Sequence, residues 1–378
     1  MKKKILVCET LSDIKGGQMI TLAAERLCRD EYEFVFMIPG EGELAAELRR
    51  RKIKYYLLGD CTMKTGVKGA RVIPKYAAMS LRAISRIKRT AAAESVSLIY
   101  APGPAAMPWA AVAGVMSGLG VVWHLHHVFE DRITGKLLRI CAKFASVRRI
   151  AAISEITRDQ FPLPPEKCTV VPNPIDPEKY SSGDGGKIRA ELSIPDGSAV
   201  ICQIGYLSHI KRQDITLGAA EILAASGLNV YVILCGGESD GEYAAKLRSA
   251  AESASLAGRV KFLGERHDVP DILAASDVCV VPSMEGFSMA ALEAVCAEVP
   301  VVCPDGTGCT AIVRDSGFGV ISPSDACSAF AESIRSAFTL TMDRQSARER
   351  ARAFINSHSE ENFSRAMCEI FATAAKKQ

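Results

Sequence analysis

VPSMEGFSMAALEAVCAEVPVVC, residues 281–303, contains a strand end, a loop, a helix and the start of another strand, with carboxylates at Glu285 and Glu293. Just upstream, DVCVVPS is an apolar, β-branched run of strand length, closed by Pro282 and Ser283, and reads as a buried parallel strand. Glu285 and Gly286 then fall in a loop. From about Phe287 the pattern turns helical, with Met289, Ala290, Leu292, Ala294, Val295 and Cys296 mostly apolar, until Val299-Pro300 opens the next strand, VPVVC. In such a unit ligands sit at the carboxyl end of the strand, where unpaired N–H groups and the helix N-terminus attract phosphate or a hydroxyl. Glu285 stands at that mouth. At roughly 1.5 Å per residue, Glu293 lies up to about 10 Å further along, so two separate hydroxyl-bearing groups could be held. A lone Glu is ordinarily a cap or a solvated carboxylate. Glu293 sits instead among small apolar residues in AALEAVC, where a carboxylate needs a polar partner such as a ligand hydroxyl.

Outward from this unit, strands and helices alternate along the chain. KILVCE, FVFMIP, YYLL, SLIYA, GVVWHL, RIAAIS and CTVVPN are strand candidates in the first half, and VICQIG, VYVILCG, RVKFLG, DVCVVPS, VPVVC and GFGVISP in the second. The alternation predicts an α/β protein with two doubly wound parallel sheets. A chain of 378 residues exceeds one ordinary core. The stretch PNPIDPEKYSSGDGGK, dense in Pro, Gly, Ser and Asp, is the natural linker. It separates a domain over residues 1–172 from one over residues 188–356, with the linker at 173–187 and a ligand cleft expected between the domains. MKKKILVCET is basic with only a strand-length apolar run, which fits neither a secretory signal nor a membrane span. Thirteen cysteines, mostly inside apolar runs and without metal-ligand spacing, fit a reduced cytoplasmic compartment.

Six segments in order resemble the retaining glycosyltransferases of family 4, which have the GT-B fold. KILVCETLSDIKGGQ is similar to the family's first strand and glycine-rich loop, AISEITRDQF to its serine-containing strand end, and VVPNPIDPEKY to its linker segment. IGYLSHIKRQD resembles the phosphate motif, RVKFLGERHDVPDILAASDVCVVPS the nucleotide-binding run, and EGFSMAALEA the paired-Glu signature. The resemblance implies two Rossmann-like domains, the first binding an acceptor and the second a nucleotide-sugar, with a C-terminal helix over 357–378 packing back on the first domain. It also implies transfer from a UDP- or GDP-linked donor, with retention of anomeric configuration, to a glycan or lipid-linked acceptor. No separate cofactor is implied, because the nucleotide-sugar is a substrate.

Residue by residue, the resemblance puts Gly16 and Gly17 where backbone approaches a phosphate without Cβ obstruction. Lys211, at the motif's distance from Gly205, is the cation against the donor diphosphate. Glu285, with the backbone of Gly286 and Phe287 and with Ser288 beside them, binds the donor sugar, while Glu293 takes the ribose hydroxyls. Gly264, Arg266 and the loop to Asp268 are candidates for the base and ribose. In WHLHHVFED one histidine is expected to face the donor sugar; His126 fits by spacing, with His124 on the same strand face and His127 on the other. The chain departs from the pattern at Tyr206, where the family has Arg, at Thr310, where many members have Glu, and at Pro174, which replaces a linker glycine and stiffens the hinge. Arg212 is the candidate substitute for the missing cation. A zinc site at the three histidines lacks further ligands, and no Asp-x-Asp motif occurs, which fits metal-independent transfer.

Charge is unevenly distributed. Residues 1–172 carry 27 Lys or Arg against 16 Asp or Glu, a balance of +11, and the rest of the chain carries −8, giving the net +3. Between Lys64 and Arg89 stand eight basic residues and no acid, interleaved with Val72, Ile73, Tyr76, Met79, Leu81, Ile84 and Ile87. A basic amphipathic segment of this kind lies on anionic membrane surfaces, which predicts docking on the inner face of a membrane. Nucleic acid is excluded for want of a binding motif or interleaved aromatics. Two other functions fit the same fold: a non-catalytic partner subunit, favoured by Tyr206 and Thr310, and a nucleotide-sugar epimerase, disfavoured by the ordered paired-Glu motif.

Overall fold

Each of the thirteen apolar runs named above forms a strand, and the strands assemble into two parallel sheets. The computed structural model describes residues 2–59, 73–129, 131–340 and 344–375. The chain divides into two compact units, Met1–Pro174 with Glu360–Gln378, and Ile175–Ser359.

In the first unit β1 (Lys3–Cys8), β2 (Tyr32–Ile38), β3 (Tyr55–Leu57), β4 (Leu98–Ala101), β5 (Gly120–Leu125), β6 (Val147–Ala152) and β7 (Cys168–Val170) pair in the order β3-β2-β1-β4-β5-β6-β7. Ile5, Leu6, Val7 and Cys8 are fully buried because helices cover both faces of the sheet, which is why the strand reads as a continuous apolar run. One face packs Leu6, Ile99, Val121 and Trp123 with Trp109 of the helix Ala106–Ser117. Against the other lies the C-terminal helix Glu360–Ala375, whose Phe371 meets Tyr32 and Tyr100 edge-on at 5.6 and 5.3 Å. Gly120 permits this approach, since a Cβ there would run into the Ala374 carbonyl.

The basic amphipathic segment falls partly in the helix Ile73–Ala93, and its apolar side does not face outward. Met79 and Ile87 are buried, Tyr76 and Ile84 pack on the same core, and Tyr76 stacks on Trp109 with ring centroids 5.8 Å apart. Leu81 alone among the described apolar residues of that segment is widely exposed, at 73%. The periodicity that predicted a lipid-facing stripe is the stripe that buries this helix on the sheet. Lys64, Lys68 and Arg71 lie outside the described residues, as does the side chain of Lys75.

The second unit repeats the winding with β8 (Ala199–Ile204), β9 (Val230–Cys235), β10 (Val260–Gly264), β11 (Val278–Val280), β12 (Val301–Pro304) and β13 (Gly319–Ser322), in the order β10-β9-β8-β11-β12-β13. The stretch read as a linker folds into this unit from Ile175 onward as two short helices, Pro177–Ser181 and Gly185–Glu191. Its composition has local causes. Asp176 caps the first helix and Pro177 occupies the first turn, where no N–H is missed. Gly183 and Gly185 lie so close to the carbonyls of Pro270 and Ala274 that a Cβ would collide with them.

In each sheet the first strand is flanked by the second and the fourth, so the order reverses between β1 and β4 and between β8 and β11. Loops leaving the carboxyl ends of such a strand pair run to opposite faces of the sheet, and a crevice opens between them.

Candidate functional site

In the second unit the reversal point brings together two of the residues singled out in the sequence. Lys211 follows β8, Glu285 follows β11, and Lys211 Nζ donates to Glu285 Oε2 at 2.7 Å. Ser283 Oγ donates to the same oxygen at 3.0 Å. Both charged side chains remain about a quarter exposed, at 25% and 28%, so the pair is open to a ligand rather than sealed in the core. Only one of the three ammonium N–H groups is used by Glu285, leaving the others for an incoming anion. The lysine backbone is pinned, its N–H on Ser208 O at 3.0 Å and its carbonyl accepting from Gln203 Nε2 at 2.7 Å. Gly205 makes room for its stem: with φ at +144° and a would-be Cβ at 3.2 Å from Lys211 Cε, a larger residue would be strained and would push the lysine aside.

Arg212 does not supply the second cation. Its backbone turns left-handed, φ +53°, at the start of the helix Gln213–Ala225, and its guanidinium is held by Asp325 at 2.7 Å. Adjacent residues across such a turn point apart. Tyr206 packs its ring against Gly237 while its carbonyl accepts from Gln213 Nε2 at 2.9 Å.

The loop after β11 continues into the helix Met289–Cys296, capped by Ser288, whose hydroxyl accepts from Ala291 N. Ser288 is therefore committed to the cap. Phe287 lies near His358, ring centroids 6.2 Å apart. Gly286 is packed by Gly308, whose N–H donates to Glu285 O at 2.8 Å and whose missing Cβ avoids the Gly286 carbonyl. Gly308 opens the helix Gly308–Ser316, capped by Thr307. Thr310, where a Glu was the pattern, closes a capping box with Thr307 and donates to Pro304 O at 2.9 Å.

Glu293 has its polar partner within the protein: Tyr180 Oη donates to Glu293 Oε1 at 2.9 Å. Burial pushes the Glu293 carboxyl upward, opposed by that hydrogen bond. Tyr180 belongs to the stretch read as a linker, and the signal that could have found it is an aromatic between charged and small residues in EKYSSG. Arg266 stands after β10, at the edge of the sheet and two strands from β8. Asp268 and Glu191 grip its guanidinium from both sides, at 2.8 and 2.6 Å to Asp268 and 2.7 Å to Glu191. The same hydrogen bonds hold the Asp268 carboxyl down at about 2. Gly264, φ +65°, turns the chain between β10 and that fork.

In the first unit the carboxyl ends of β1, β4 and β5 gather a different set. Gly16 and Gly17 open the helix Gly16–Cys28, and a Cβ on Gly17 would touch the His126 ring at 3.8 Å. His126 and His124 lie with ring centroids 4.1 Å apart, as strand alternation required, and His127 is exposed. His124 Nδ1 shares a 2.6 Å hydrogen bond with Tyr100 Oη, whereas the Nε2 atoms of both His124 and His126 are buried with no partner among the described residues. Burial keeps both rings neutral, His124 pushed down to about 3 and His126 well below its usual value.

Beside them the sequence reading missed Glu9. It follows β1 directly and is fully buried, with Oε2 accepting from Gln18 Nε2 at 3.0 Å and Oε1 from Thr21 Oγ1 at 2.8 Å. Burial raises its carboxyl pKa against both hydrogen bonds. An acid ending the apolar run KILVCE, with no basic residue within five positions after it, was the available signal. No cluster of metal-ligating residues occurs among the described residues.

These two windings, with the reversal-point pair in the second, define the GT-B class of fold. It is shared with the Anabaena protein HepE solved in complex with UDP-glucose, at a TM-score of 0.81 over 98% of this chain and 99% of that one, at 22% identity. WaaG, a glycosyltransferase involved in lipopolysaccharide biosynthesis, aligns at a TM-score of 0.68 over 97% and 99% of the two chains, at 17% identity. Residues 17–179 match the model of Glycosyltransferase Family 4 and residues 184–354 that of Glycosyl transferases group 1, and the chain belongs to this glycosyltransferase family. A D-inositol 3-phosphate glycosyltransferase of Stackebrandtia nassauensis is 29% identical over 54% of this chain and 49% of its own length. The UDP-Gal:alpha-D-GlcNAc-diphosphoundecaprenol alpha-1,3-galactosyltransferase of Escherichia coli is 29% identical over 56% of this chain and 58% of its own. The chain thus spans about half the length of the curated relatives it matches.

Proposed function

We propose that this chain transfers a sugar from a UDP- or GDP-linked donor, with retention of anomeric configuration, to a glycan or lipid-linked acceptor in the synthesis of a surface polysaccharide or glycoconjugate. The observation that carries the reading is the Lys211–Glu285 pair, 2.7 Å apart at the reversal point of the second sheet and still open to solvent. An ammonium held there by one contact can turn its remaining N–H groups on a diphosphate and stabilise the charge that develops as the nucleotide leaves. Glu285, relieved of part of its ion pair, can then accept from sugar hydroxyls, and Glu293 from the ribose. Retention follows from the family likeness, by front-face attack with the leaving phosphate taking the acceptor proton. The likeness to a protein solved with UDP-glucose and to a galactosyltransferase of a diphosphoundecaprenol-linked sugar supports a UDP-sugar and a lipid-linked acceptor. A cytoplasmic site of action, peripheral on the inner face of a membrane, fits that acceptor. No helix among the described residues is long and apolar enough to cross a membrane.

The test is turnover by the purified chain across a panel of nucleotide-sugars, with the anomeric configuration of the product read by NMR. Hydrolysis or transfer that disappears in Lys211→Ala and Glu285→Ala supports the reading, and an inverted product overturns retention. A second reading is a non-catalytic partner subunit, favoured because Tyr206 replaces a cation and Arg212 is committed to Asp325. Turnover that appears only with a companion protein, and is indifferent to Lys211→Ala, would establish it.

A further inference from the structure

Within the first unit the helix Arg132–Cys141 carries an outward face that the core does not use. Gly135, Leu138 and Cys141 are its buried positions. Ile133, Leu137 and Ile140, at the i, i+4, i+7 spacing of a single stripe, are 50%, 37% and 53% exposed. A second stripe, Arg132, Lys136, Arg139 and, just past the helix end, Lys143, runs beside the first on the helical wheel.

Several other cations of the unit are already neutralised by a neighbour. Arg29, Arg49, Arg50, Arg51, Lys54 and Arg158 each sit in an ion pair with a carboxylate. Around Arg132, Lys136, Arg139 and Lys143 no carboxylate lies within ion-pair distance among the described residues. The acid that precedes the helix, Asp131, spends its carboxylate on the N–H groups of Ile133 and Thr134 at 3.1 and 3.2 Å. Lys136, Arg139, Ile140 and Lys143, with Phe161 and Leu163, also line a hollow of about 240 Å³: an apolar floor under a basic rim.

We propose that this helix and hollow dock on an anionic lipid bilayer, the apolar stripe entering the headgroup boundary and the four cations meeting lipid phosphates. The combination selects the occupant. Three exposed branched side chains disfavour a purely polyanionic partner, and the cations beside them, without a carboxylate partner among the described residues though Arg139 donates to Gln160 O at 3.5 Å, match the negative surface of an acidic leaflet. The inference deepens the proposed function by naming the surface that presents its acceptor, and it moves the contact from the helix Ile73–Ala93, whose apolar side is buried.

Co-sedimentation with phosphatidylglycerol-containing vesicles, against phosphatidylcholine alone, tests it without any sugar donor. The wild-type chain should bind the anionic vesicles and release them as salt rises. Binding should fall by about tenfold or more in Ile133→Ser/Ile140→Ser and in Lys136→Glu/Arg139→Glu. It should stay within about twofold in Arg82→Glu/Lys88→Glu, which alters exposed cations of the other helix. All are surface changes, so unchanged thermal melting confirms folding. Equal, negligible binding to both vesicle types overturns the proposal, as does a loss confined to Arg82→Glu/Lys88→Glu. A wild-type dimer that Ile133→Ser/Ile140→Ser converts to monomer would assign the face to a second copy and overturn it too. Turnover with a soluble acceptor is independent of these outcomes, so a failure here leaves the proposed reaction standing and is distinguishable from its failure.

Discussion

The carboxyl ends of the two sheets are built from opposite electrostatics. In the second unit the reversal point holds a formal cation and anion, Lys211 and Glu285, partly exposed and joined by one short contact. In the first, the strand ends hold polar groups that burial drives toward neutrality: His124, His126 and Tyr100, with Glu9 raised in the same direction. An ion pair that is a quarter exposed is cheap to rearrange, because water compensates whichever partner is displaced. Tyr100 and His124 hold each other stiffly, since moving either strands the other without its hydrogen bond. One end is therefore suited to capturing a charged leaving group and the other to holding fixed shape against an uncharged one.

Lys211→Ala should break the contrast most severely. Loss of a preorganised group against developing charge typically costs about 100- to 1,000-fold in rate. Stability should change by less than about 1 kcal/mol, because the pair is part-exposed and Glu285 keeps the Ser283 hydroxyl. Steady-state kinetics paired with thermal melting separates the two, and activity that survives intact would remove the charged end from the chemistry.

In the neutral cluster the expected losses fall on stability. Tyr100→Phe deletes the hydrogen-bond partner of His124 Nδ1, leaving both ring nitrogens of a fully buried imidazole unpaired, at about 1–3 kcal/mol. Urea unfolding measures it, and a neutral result would mean that water reaches the ring. Glu9→Gln sharpens the same point through pH. The folded pKa of Glu9 is raised, so the protonated acid is favoured in the fold; its contribution is whole below the unfolded value near 4.5 and is lost as pH climbs through the raised value. The Gln variant mimics the protonated form. It should match wild type in acid and exceed it at neutral pH, by on the order of 1 kcal/mol, with the gap opening only above about pH 4.5. A gap that is constant across pH would show that Glu9 does not titrate in this way.

The sheets were legible because a central parallel strand covered on both faces leaves an uninterrupted apolar run, as in β1, β5 and β11, and the part-buried edge strands β3, β10 and β13 follow the same alternation with helices. Glu285 was legible from its place in the loop after an apolar strand run, and Lys211 from the resemblance of IGYLSHIKRQD to the family's phosphate motif; the two meet because loops following β8 and β11 emerge side by side in a doubly wound sheet. What could not be read was side-chain direction. The stripe Met79, Ala83, Ile87 and the stripe Ile133, Leu137, Ile140 have similar periodicity, yet one is buried and the other exposed, because only packing against Trp109 and its neighbours decides which face turns inward. Glu9 and Tyr180 escaped for the complementary reason. Their partners, Thr21 and Glu293, lie 12 and 113 positions away and are brought close only by the fold.

Arg212→Ala carries the smallest expected effect and the sharpest question. By spacing, Arg212 stands next to Lys211 and could double the charge facing a diphosphate. The left-handed turn at φ +53° sends its guanidinium to Asp325 instead, where the pair is exposed on the carboxylate side at 56%. Such a pair contributes about 0–1 kcal/mol, and the alanine variant should keep kcat/KM within about threefold of wild type, with any change in KM rather than kcat. A loss of kcat comparable to that of Lys211→Ala would mean that donor binding pulls Arg212 off Asp325 and into the site. The charge balance of the two ends would then differ by one more cation than the Lys211–Glu285 geometry displays. Asp325→Asn separates the possibilities: it releases Arg212 without removing it, so a recruited arginine predicts faster turnover and a structural one predicts none.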